Sequence, residues 1–177
     1  MAVAAGMPSG SQAELDGGVC LEIVPVFLVS RTIWCLRPVG EGSWRTPYAG
    51  GDEVHDVVSR RLTAVGVEPV AVHSTSWRQE ARAVVLTHLA VVAPPDGEVD
   101  GFERRPVRGR ELAYGSALAP PERIEPEHVV AHALRHLAWL LDQDGAMRRA
   151  LGPRWQGALR RHRPEPFRLV GSAPAAR

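Results

Sequence analysis

Three histidines stand at four-residue intervals, His128, His132 and His136, within the run EPEHVVAHALRHLAWLLDQ. Imidazoles at i and i+4 share one side of a helix, and such a pair can chelate zinc. The first and third lie about 12 Å apart along a helix axis, so no single ion takes all three. No glutamate follows the first histidine to make an H-E-x-x-H site. His128 and His132 are therefore a candidate metal pair. The alternative is a polar helix side, shared with Glu125, Arg135 and Trp139, that packs under a loop or faces a partner. The apolar stripe opposite consists of Val130, Ala133, Leu134, Leu137 and Leu141.

A second concentration of chemistry-bearing side chains is HSTSWR, His73–Arg78, at the end of a predicted strand. Alternation puts His73, Thr75 and Trp77 on one face and Ser74 and Ser76 on the other, which separates any serine nucleophile from its histidine. His73, Trp77 and Arg78 are candidates to line a pocket for a planar or phosphorylated ligand. His88, inside the most apolar run, reads as a hydrogen-bonded core histidine. The arginines Arg148, Arg149, Arg154, Arg160, Arg161 and Arg163 have no interleaved aromatics, so they form a solvated helical face and no nucleic-acid partner is expected.

The elements that must hold these residues fit in one domain. The chain has 177 residues, and its formal net charge of +1 exerts no overall pull toward nucleic acid or membrane. All basic residues are arginine, a bias of composition that is not in itself a phosphate-binding signal. Cys20 and Cys35 lie in apolar stretches without metal or redox spacing, which predicts two buried free thiols in a reducing cytoplasm. The start of the chain lacks the features of a signal peptide, and no apolar run is long enough to span a membrane, so a soluble cytoplasmic protein is expected.

Residues 1–17 are small and polar and are expected to be disordered. A single domain is expected over 18–170, with C-terminal helices over about 125–163, and a flexible tail over 171–177. Val19–Ser30 and Thr32–Val39 read as neighbouring strands, and GEGSW as a turn. RTPYAGG leads into a helix whose face is Val54, Val57, Val58, Leu62 and Val65. Acidic residues open that helix, arginines close it, and Gly66 follows its end. Val67–Trp77 and Ala83–Val92 are two further strands, the second buried on both faces. Ala93–Pro126 reads as loops with a short helix near Arg108–Tyr114. Helices follow over Glu125–Gln143 and, in two pieces separated by Pro153, beyond it. The fold class expected is α+β, a mixed sheet in an α/β/α sandwich-like arrangement with a helical C-terminal extension.

Placed in this order, the elements resemble a Nudix domain over Val19 to Val92. That family's motif is G-x5-E-x7-R-E-U-x-E-E-x-G-U, with U a bulky aliphatic residue. Gly50-Gly51 match the loop entrance, Arg60 and Leu62 the R-x-U, and Gly66-Val67 the closing G-U. Arg61 stands where the glutamate follows the arginine, and Ala64 and Val65, or Thr63 and Ala64, stand at the paired glutamates. The loop before Arg60 is also shorter than the motif's. The resemblance implies a mixed sheet with a central helix. It also implies a catalytically inactive domain that binds a small ligand or a protein partner, with Arg60 and Arg61 on the ligand and no cofactor. The alternative is a divergent hydrolase of nucleoside-diphosphate-linked compounds using Mg²⁺, its carboxylates drawn from Asp52, Glu53, Asp56 or Glu80. In that case Asp52 and Asp56 are the metal pair and Glu53 and Asp56 the catalytic pair. A homodimer is left open.

Overall fold

The structure is a computed structural model that describes residues 18–40, 42–109 and 123–162. The expected disordered start, the tail after 170 and most of the short helix near Arg108–Tyr114 lie outside the described residues.

The fold is α+β, and the described residues form six strands in one mixed sheet and three α-helices. The apolar run VCLEIVPVFLV forms β1 (Val19–Val29), which is buried along nearly its whole length, as a strand covered on both faces must be. β1 pairs in parallel with β5 (Ala83–Val92) on one side. Its other side is shared. Val19 to Ile23 pair with β3 (Trp44–Tyr48), and Val26 to Val29 pair with β2 (Thr32–Pro38), both antiparallel. The changeover falls at Val24 and Pro25, so the residue that cannot donate a hydrogen bond sits where neither ladder needs it. β4 (Pro69–Glu80) pairs with β5 at one edge and β6 (Phe102–Pro106) with β2 at the other.

Helices cover both faces. On one, Val58 and Leu62 of α1 (Val54–Ala64) pack with Leu21, Ile23 and Phe27 of β1. On the other, Ala133, Leu134, Leu137 and Leu141 of α2 (Pro126–Gln143) and Trp155 of α3 (Gly145–Leu159) pack with Val24, Val26 and Leu89. Val26 and Phe27 thus face opposite cores, as the two-residue period of a strand requires. Gly66, with φ of +74°, reverses the chain after α1 in a conformation that a side chain adopts at a cost. In α3 the helix breaks at Gly152, φ +73°, just before Pro153, giving the two pieces expected there.

Two strands were not expected. β3 lies in the segment read as a turn and helix lead-in, and β6 in the segment read as loops. Both are five residues long, and β6, FERRP, is an edge strand without an apolar alternation to announce it.

Candidate functional site

The segment Pro47–Asp52 leaves β3, passes two glycines and folds back along α1. Gly50 and Gly51 have φ of +82° and +94°, two successive residues in the left-handed region that favours glycine. Tyr48 fixes the return by donating its hydroxyl to the Asp52 carbonyl at 2.7 Å. Between this loop and the outer side of α1 lies an open groove of about 410 Å³, lined by Tyr48, Gly50, Asp52, Val57, Arg60 and Arg61 among others. Arg60 is occupied by an ion pair with the Asp52 carboxylate. Arg61 is exposed and has no ion pair or hydrogen bond among the described residues. The groove therefore presents one committed and one uncommitted guanidinium, beside glycine backbone that a ligand can approach closely.

The carboxylates weighed as metal or catalytic groups do not gather here. Asp52 is held by Arg60, while Glu53 and Asp56 are exposed at the start of α1. Among the described residues no three His, Cys, Asp or Glu side chains form a metal cage. Of the positions set against the glutamates of the Nudix motif, Arg61 (the glutamate after the arginine) and Ala64 (one of the paired glutamates) line this groove, and a guanidinium repels a divalent cation. The Mg²⁺ chemistry of that motif does not fit these residues.

The HSTSWR cluster is divided by a β-bulge. His73 faces Leu89 and Ser74 faces His88, but Ser76 faces Thr87, so the register shifts by one residue around Thr75. The expectation that His73 and Trp77 point the same way is corrected by this extra residue. Trp77 lies on the α1 side of the sheet, 69% exposed, while His73 and Arg78 share the α2 side.

Arg78 is committed to an internal charge network. It grips Glu22 through two parallel bonds, Nη1 to Oε2 at 2.6 Å and Nη2 to Oε1 at 2.8 Å. Thr87 donates its hydroxyl to Glu22 Oε2 at 2.9 Å, and Arg45 approaches Oε1 at 3.3 Å. Glu80 closes the ring, accepting from Arg78 Nε at 2.6 Å and from Arg45 Nη1 at 2.7 Å. Glu22 is completely buried. Burial pushes its pKa up, but the Arg78 bonds and charge, with help from Ser43 and Thr87, hold it below the usual carboxylate range. Two carboxylates and two guanidiniums balance, so this cluster stabilises the sheet and leaves no free charge for a ligand. The sequence contained one signal for it: a lone glutamate in the apolar run of β1.

The histidine row is likewise divided. His128 Nδ1 accepts the Glu125 backbone N–H at 3.1 Å, a reciprocal of the usual helix cap. His132 is exposed on the outside of α2. His136 reaches the sheet, where its Nε2 lies 3.1 Å from Nε2 of His73, and Trp139 meets its ring edge-on at 5.5 Å between centroids. His88, as expected, is buried, with Nδ1 3.3 Å from the Leu86 carbonyl.

In comparison with known proteins, no family model and no curated protein matches the chain. Among the described residues no helix is long and apolar enough to cross a membrane.

Proposed function

We propose that this chain is a Nudix-like domain without the hydrolytic metal site, which binds a phosphate-bearing small molecule in the groove between the Pro47–Asp52 loop and α1. The single observation that carries the proposal is the uncommitted Arg61 guanidinium, in a groove beside left-handed glycines where the described residues form no carboxylate cage. Guanidinium groups and exposed backbone amides recognise phosphate oxygens. The groove's volume falls within the roughly 300–1,000 Å³ typical of small-ligand sites. The order of sheet, Gly-Gly loop, helix and closing glycine supports the family resemblance. Arg61 and Ala64 supply no metal ligand, so the ligand is bound and not hydrolysed. The two buried free thiols agree with a cytoplasmic location.

Equilibrium binding of ADP-ribose, nucleoside triphosphates and dinucleoside polyphosphates tests this directly. At least one is expected to bind saturably in the absence of divalent metal, and Arg61→Ala is expected to weaken it about tenfold, the loss of one charge-assisted hydrogen bond. Failure of every member to bind would remove the ligand reading. Metal-dependent turnover lost in Glu53→Gln or Asp56→Asn would replace it with a divergent hydrolase.

A further inference from the structure

His73 and His136 come from elements remote in sequence, a strand of the sheet and the helix that covers it, yet their Nε2 atoms meet at 3.1 Å. Both rings are only partly buried, so the space beside the pair is open to solvent. Burial lowers the pKa of both rings, against the charge of Asp144 at His73 and with the help of His73 and His132 at His136, which favours the neutral imidazole with one nitrogen lone pair. The β4–β5 ladder fixes the backbone of His73 opposite Leu89, and the ring of His136 rests against Trp139.

Two imidazole nitrogens at this spacing match a chelate. An ion about 2.05 Å from each would see them at an angle of about 100°, between octahedral and tetrahedral values. Nitrogen-only imidazole ligation suits zinc, nickel and copper and not the hard ions that prefer oxygen. We propose that His73 and His136 form a two-histidine site for a divalent ion of the zinc, nickel and copper group. Without metal, one ring donates its Nε2 proton to the other. On binding, that ring moves the proton to Nδ1, both Nε2 lone pairs turn to the ion, and no net proton is lost. No third His, Cys, Asp or Glu among the described residues joins them, so water completes the coordination. The ion then clips β4 to α2. This site is separate from the groove beside α1 and does not depend on what that groove binds.

The helix alone offers a competing pair, His132 and His136, and the test separates the two. Tag-free, chelator-treated protein is titrated calorimetrically with Zn²⁺ and Ni²⁺, and thermal midpoints are recorded with and without Zn²⁺. One ion per chain is expected, with a Zn²⁺-dependent rise in midpoint. His73→Ala and His136→Ala are each expected to weaken binding about a hundredfold, the loss of an intramolecular second ligand. His132→Ala is expected to leave affinity and midpoint shift unchanged. His73→Gln, which keeps a polar side chain on the strand, serves if the alanine variant fails to fold. Absence of saturable binding, or binding that survives at position 73 but is lost in His132→Ala, would overturn the proposal.

Discussion

Arg78→Ala isolates the energetics of the internal charge network. The substitution removes both guanidinium bonds to Glu22, at 2.6 and 2.8 Å, and leaves a fully buried carboxylate with Thr87 at 2.9 Å and Arg45 at 3.3 Å. Removing one partner of a buried pair costs about 3–5 kcal/mol, because the remaining charge has lost its compensation. For a chain of this length that corresponds to a fall in Tm of about 6–20 °C. Urea unfolding followed by circular dichroism at pH 7 measures the difference directly.

The pH dependence distinguishes charge from packing. In the native protein the pKa of Glu22 lies below its ordinary value of 4.5, so its charge stabilises the fold above that pH. This contribution is lost as pH falls through the lower folded value. In Arg78→Ala the burial that pushes the carboxyl upward is no longer opposed by Arg78, so protonation relieves the variant at a higher pH. The deficit should therefore be largest at neutral pH and narrow as the solution is made acidic. A deficit below about 1 kcal/mol with no pH dependence would match an exposed, screened pair and refute the reasoning.

Other perturbations test the rest of the fold. Leu137→Asp places an unpaired charge where α2 meets the sheet and is expected to cost about 4–5 kcal/mol, whereas His132→Ala on the exposed side should stay within about 0.5 kcal/mol by the same urea assay. Ala81 holds φ of +49° in the two-residue turn between β4 and β5, and Ala81→Gly should raise stability by about 0.5–1 kcal/mol in thermal unfolding. Burial raises the thiol pKa of Cys20 and pushes that of Cys35 up to about 12. Neither is a thiolate at pH 8, and a disulfide reagent should label neither until urea unfolds the chain, when both react. The arginines of α3 and the turn after it should give no salt-dependent binding to duplex or single strands, and retention lost in an Arg160/Arg161 double substitution would contradict this.

What could be read from sequence followed periodicity. The stripe Val130, Ala133, Leu134, Leu137 and Leu141 is buried in the core, and the face of α1 that carries Val58 and Leu62 packs on the sheet. β1 and β5 were legible as largely apolar runs, and Gly66 as the end of α1. β3 and β6 were not, because five polar or mixed residues at a sheet edge take their conformation from the neighbour they pair with. The bulge at Thr75 has no local marker, yet it alone separates Trp77 from His73. Pairings between remote elements were equally hidden. Nothing in HSTSWR indicates that Arg78 is committed to Glu22, and nothing in the histidine row indicates that His136 meets His73. The groove lay partly within reach, since Gly50-Gly51 and Arg60-Arg61 stood out, but only the return of the loop along α1 brings them together.

The proposed binding without hydrolysis is tested most directly by ³¹P NMR of ADP-ribose with the protein and Mg²⁺. Broadened or shifted diphosphate resonances are predicted, with a titration midpoint moved to about tenfold higher protein concentration in Arg61→Ala, and no phosphomonoester signal over prolonged incubation. Phosphomonoester peaks that grow with Mg²⁺ would show that the diphosphate is cleaved. Sharp, unshifted resonances for this probe, and for a nucleoside triphosphate and a dinucleoside polyphosphate in its place, would show that the groove does not hold a phosphate-bearing ligand.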